Sequence, residues 1–77
     1  MSERQDDVVR LALNHLTVLQ SHLASGSLHN PVVLDAVCLR LASAIDVLNR
    51  LDSEQKATLF GDSWRAMLAT RNIIAHV

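Results

Sequence analysis

Two arginines, an asparagine and a histidine stand close together near the end of this 77-residue chain: Arg65, Arg71, Asn72 and His76. On a single helix from Trp64 onward, Arg65, Asn72 and His76 fall at i, i+7 and i+11, along one line. Asn72 and His76 are four residues apart, so the amide can reach the imidazole and fix its tautomer. Arg71 falls about a quarter-turn away, in the middle of an apolar face made by Trp64, Met67, Leu68, Ile74 and Ala75. A guanidinium among packed side chains is costly unless it meets an anion. Either it snorkels or pairs with an acid of the preceding long helix, or it is held ready for a bound anion. His76 has two readings as well, an acid–base group or a cation placed at the negative end of a helix dipole. Together, Arg71 and His76 supply what RNA cleavage requires without a metal. In such a reaction His76 would take the proton of a 2′-hydroxyl and Arg71 would neutralise the charge of the phosphorane. A second copy of the helix, facing the first, would bring another histidine to protonate the leaving group.

The bulk properties are consistent with such a site only if it is local. Net charge is −1 with histidines neutral, so no global field draws in a polyanion, and contact with RNA must come from grouped arginines. The length allows one domain, and a chain this short buries only about 60% of the surface it exposes when unfolded. Yet 49% of its residues are hydrophobic, mostly aliphatic, with Trp64 and Phe60 the only aromatics. That surplus predicts a partner, most simply a second copy. The lone Cys38 excludes an internal disulfide and reads as a packing residue. No stretch approaches the ~18 apolar residues of a membrane span, and the charged N-terminus lacks a signal-peptide core. A cytoplasmic protein with no membrane association is expected.

The elements that must position the site are helical. Ser2 with Gln5 three residues on fits a capping box, followed by a stripe of Val9, Ala12, Leu16, Leu19 and Leu23. Ser25-Gly26-Ser27 ends this helix, with Gly26 expected in the left-handed conformation. Asn30 caps a second helix that has Pro31 in its first turn and a stripe of Val37, Leu41, Ala44, Leu48 and Leu51. Asp52-Ser53 interrupts the pattern and caps a short turn through Leu59 or Phe60. Gly61-Asp62-Ser63 then leads into the third helix at Trp64. The expected fold is all-α, one domain over residues 1–77, an antiparallel bundle of three main helices.

The segment from Trp64 to His76 resembles the third-helix motif of HepT-like toxins in the HEPN superfamily, where arginine and a polar residue are followed, after a few variable positions, by histidine. Here these are Arg71, Asn72, Ile73 to Ala75, and His76. The likeness continues upstream without a gap through Asp35-Ala36-Val37, Arg40-Leu41, Asp46 and Arg50-Leu51. Ile45-Asp46 stands where the family often has Gly-Glu, so the acid is kept in kind. The resemblance implies a HEPN-like bundle and a homodimeric, metal-independent endoribonuclease toxin without a cofactor, paired with a nucleotidyltransferase antitoxin. Arg71 and His76 would be the catalytic pair, Asn72 and Arg65 supporting or substrate-binding residues, and Asp46 a partner for Arg71 or His76 or else a solvated acid. It also implies a tyrosine two positions after the histidine and a further helix, so the chain reads as a C-terminally shortened member.

A second function class stays open: a non-catalytic helical module that docks onto a nucleotidyltransferase. A third, a metal site built from His15, His22, His29 and His76, lacks ligand spacing and carboxylates in register, and no metal is expected.

Overall fold

The computed structural model describes residues 2–75 and is helical throughout its regular elements: α1 (Glu3–Ser25), α2 (Pro31–Leu48), α3 (Ser53–Phe60) and α4 (Ser63–Ala75). Each start has a local cause. The Ser2 hydroxyl accepts from the Gln5 backbone N–H while the Gln5 side chain accepts from that of Ser2, which makes the capping box reciprocal. Asn30 Oδ1 accepts from the Val32 N–H, with Pro31 just behind it. Asp52 Oδ1 accepts from the Gln55 N–H, and its Oδ2 also accepts from Gln5 Nε2 at 3.1 Å. One carboxylate thus caps α3 and ties it to the start of α1.

Two local expectations need correction. The segment after Asp52 is an eight-residue α-helix rather than a short turn, because its cap is followed by good helix formers through Ala57. Among the described residues the bundle therefore has four helices rather than three, although α3 is only two turns long. Gly26 is extended (φ −170°, ψ −176°), not left-handed. Glycine there serves a close approach, since an added Cβ would lie 2.7 Å from Cγ2 of Val33, a side chain stiff about χ1.

Gly61, in contrast, does adopt positive φ (54°, with ψ −134°), a region that side chains rarely enter. It turns the chain between α3 and α4 in two residues. Gly61→Ala is expected to cost about 1–3 kcal/mol through backbone strain alone, as the nearest atom to an added Cβ is at 3.9 Å. Thermal unfolding checks this, and an unchanged midpoint would show that the turn relaxes.

Helix α2 is the central element. Val8 and Ala12 cluster with Val47, Leu48 and Leu51, while His15 meets Arg40, so α1 runs antiparallel to α2. Asp46 meets Arg71 while Leu34, Asp35 and Cys38 share a groove with Ile73 and Ile74, so α4 also runs antiparallel to α2. The core is Val8, Ala12, Ala44, Ile45, Val47, Leu48 and Leu51, with Val9, Phe60, Trp64 and Met67 packed against it. Val8 rather than Val9 is the buried valine of α1. Leu51 stays buried although α2 has ended, because the Arg50 and Leu51 N–H groups turn back onto Val47 and Leu48.

This core is small for the apolar content. Leu13, Leu28, Val32, Leu39 and Ile73 are each at least half exposed. The radius of gyration, 13.3 Å, exceeds the roughly 11.5 Å of a compact domain of this length. The molecule is elongated, and its aliphatic surplus lies on the outside.

Candidate functional site on the last helix

Antiparallel packing of α4 on α2 sets residue 71 opposite residue 46, and the two side chains meet there. Arg71 Nε donates to Asp46 Oδ1 at 2.6 Å and Nη2 donates to Oδ2 at 3.4 Å. This is the fork-to-carboxylate arrangement that fixes a guanidinium plane as well as its position. Arg71 Nη1 donates to Asn72 Oδ1 at 3.3 Å, which adds a third point of attachment. Among the described residues, three of the five guanidinium donors are thereby used.

The pair lies at the surface, with the Arg71 side chain 35% and the Asp46 side chain 51% exposed. Solvent screening at that exposure leaves the ion pair worth about 0–1 kcal/mol to stability. Its consequence is orientation: a long side chain that would otherwise sample many rotamers is held in one. The apolar face around it is half-buried at Trp64, Met67, Leu68 and Ile74, so Arg71 emerges from that face to meet Asp46 at the edge. Of the readings open for Arg71, the ion pair with an acid of the preceding long helix is the one realised.

Asn72 is turned toward Arg71. The expected Asn72–His76 contact lies outside the described residues, as does His76 itself. Arg65 is exposed and lines a cleft with Gly61, Asp62 and Trp64. It lies six residues from Arg71, about 9 Å along the axis, and does not join the Arg71 network. Asp46, Arg71 and Asn72 are thus brought together, and Arg65 stands apart.

Two polar contacts had no signal in the sequence because their partners lie on different elements. Arg40 Nη1 lies 3.2 Å from His15 Nδ1 across the α1–α2 seam, so that nitrogen accepts from the guanidinium. His15, considered above as a metal ligand, has its Nδ1 engaged in this way. Among the described residues, no three His, Cys, Asp or Glu side chains converge. The second contact is Lys56, whose Nζ donates to Asn49 Oδ1 at 3.0 Å and sits 5.2 Å from the Trp64 ring centroid.

On its other side, the α2–α4 seam opens into an apolar groove of about 420 Å³ lined by Leu34, Asp35, Cys38, Leu39, Ile73 and Ile74. Cys38 is half-buried in it, in keeping with a packing residue. No described helix is long and apolar enough to cross a membrane.

Chemically, the α4 site offers a fixed cation with donors to spare, one residue before an amide and five before a histidine in the chain. No protein-family model matches the chain, and no characterised protein or solved structure matches it.

Proposed function

We propose that the chain is a HepT-like, metal-independent endoribonuclease of a toxin–antitoxin pair, working as a homodimer and restrained by a nucleotidyltransferase. The observation that carries this reading is the Arg71 guanidinium, held by both oxygens of Asp46 and by Asn72 at the surface of α4. An oriented cation is worth most where charge develops during reaction, since it needs no reorganisation at that moment. The resemblance supplies the other half by placing an acid–base histidine at position 76.

In this mechanism His76 removes the proton from a ribose 2′-hydroxyl, and the 2′-oxygen attacks the adjacent phosphorus. Arg71 donates hydrogen bonds to the phosphorane oxygens. The bond from phosphorus to the 5′-oxygen breaks, and that oxygen takes a proton from an imidazolium, leaving a 2′,3′-cyclic phosphate. The same histidine of a second copy serves as that acid. The exposed Leu39 and Ile73 along the α2–α4 groove give two copies an apolar surface to share.

The test is cleavage of a mixed-sequence RNA by purified protein in excess EDTA. Cleavage that persists in EDTA and is lost in His76→Ala is the expected outcome. Activity that requires a divalent metal, or that survives His76→Ala, refutes the mechanism. Sedimentation equilibrium is expected to show a dimer, and a monomer at every concentration removes the second histidine.

The Arg71–Asp46 pair also favours a second reading in one respect, because the carboxylate already balances the arginine charge. In that reading the chain is a non-catalytic docking partner of a nucleotidyltransferase. Stable co-purification with such an enzyme, with no RNA cleavage by the free chain, selects it.

A further inference from the structure

We propose that the corner between α3 and α4 binds one unpaired base of an RNA strand, with Trp64 as stacking platform and Lys56 and Arg65 as its cationic flanks. The inference rests on the ribonuclease reading in taking RNA as the ligand and shares Arg65 with it; Trp64 and Lys56 belong to this corner alone. Both aromatic side chains of the molecule meet at this corner, Phe60 and Trp64, with ring centroids 5.6 Å apart. Trp64 packs against the core but remains half-buried, and two clefts share it and Gly61. One, of about 380 Å³, is completed by Asp62 and Arg65; the other, of about 220 Å³, by Ser53, Lys56 and Ala57. The larger is at the low end of small-ligand sites, roughly 300–1,000 Å³, which suits a single base.

The cations are suitably placed. Lys56 is the only lysine of the chain, and its ammonium sits over the indole, 5.2 Å from the centroid. Among the described residues neither Lys56 nor Arg65 forms an ion pair with a carboxylate. A base entering over the ring takes the position of the ammonium, which swings on its flexible stem to the phosphate. Asp62 lines the Arg65 cleft and opposes a phosphate there, so the phosphate falls to Lys56 and to the outward reach of Arg65. Stacking on an indole flanked by cations tolerates any base, because each has a π-face. From Arg65, the exposed line through Ala69 to Asn72 leads toward Arg71. The distance of about 9 Å equals two to three nucleotides at a stacked rise of about 3.4 Å per strand.

Trp64 is the only tryptophan, so its emission reports on this corner alone. Titration of the full chain with hexauridylate in EDTA is expected to quench that emission saturably, both in the wild type and in Arg71→Ala, and less at higher salt. Lys56→Ala, at a half-buried position, and Arg65→Ala, at an exposed one, are expected to weaken binding several-fold with the helical circular dichroism unchanged. Trp64→Phe, read by the anisotropy of labelled RNA, is expected to weaken it about tenfold. RNA binding by anisotropy without a change in Trp64 emission, quenching of equal size by inorganic phosphate alone, or no RNA binding at all each overturns the proposal. Quenching without cleavage leaves this site standing and removes the ribonuclease reading, whereas cleavage without quenching does the reverse.

Discussion

Arg71→Ala is expected to lower single-turnover RNA cleavage by about 10²–10³-fold, the loss typical of removing one preorganised donor to a developing oxyanion. The fold should survive, because the Arg71–Asp46 pair is about one-third to one-half exposed and adds only about 0–1 kcal/mol. A loss of that size moves the melting midpoint of a domain this small by at most about 8 °C, so rate and stability separate cleanly. Arg71→Lys is the informative companion. It keeps the charge but lacks the planar fork that spans both Asp46 oxygens, and it should recover only a small part of the rate. Asp46→Asn leaves Arg71 present but loosely oriented, so a fall in kcat with little change in KM is expected. Cleavage at the wild-type rate in Arg71→Ala would remove the guanidinium from the mechanism.

Leu51→Ala is expected to have the largest effect on stability. Leu51 is 3% exposed and closes the cluster formed by Val8 and Ala12 of α1 with Val47 and Leu48 of α2. Truncating a buried leucine to alanine costs about 2–5 kcal/mol, through lost transfer energy and the cavity left behind. A chain of this length has a total stability of roughly 4–12 kcal/mol at the usual value per residue. One substitution therefore removes a large part of the total, and the melting midpoint should drop by about 10 °C or more. Leu39→Ala provides the contrast, since Leu39 is 64% exposed and lies in the α2–α4 groove. In dilute protein its effect should stay within about 0.5 kcal/mol. If two copies meet at that groove, the same change lowers the midpoint more as concentration rises, because association stabilises by mass action. A Leu51→Ala midpoint equal to that of the wild type would place the core elsewhere.

What local chemistry fixes was readable from the chain. Ser2 with Gln5, Asn30 with Pro31, and Asp52 each satisfy nearby backbone donors, so the three starts follow from a few neighbouring residues. The apolar periods of α1 and α2 anticipated Ala12, Ala44, Leu48 and Leu51 as core, since a 3.6-residue repeat leaves little choice of face. The same logic missed Val8 in favour of Val9 on α1, and it did not mark Ile45 and Val47 because α2 is packed on more than one side and a single stripe cannot describe it. The left-handed Gly26 failed for a related reason. Glycine is required there by the approach of Val33, and a clash with a residue seven positions on leaves no trace in local turn preferences.

For the candidate site, the sequence by itself determined that Arg71 must meet an anion or reach water, because a guanidinium on an apolar helix face has no third option. Which acid of the preceding long helix that would be came only from the resemblance, which implied Asp46 as one possible partner. Only the tertiary structure decided that Asp46 takes both Nε and Nη2, that Asn72 turns toward Arg71, and that Arg65 belongs to the separate Trp64 corner. The physical reason is register. The spacing of charges along one helix is set by its own geometry, but which residue of α2 faces residue 71 depends on how side-chain packing slides α4 along α2. That packing is a property of the whole core and is written in no single segment.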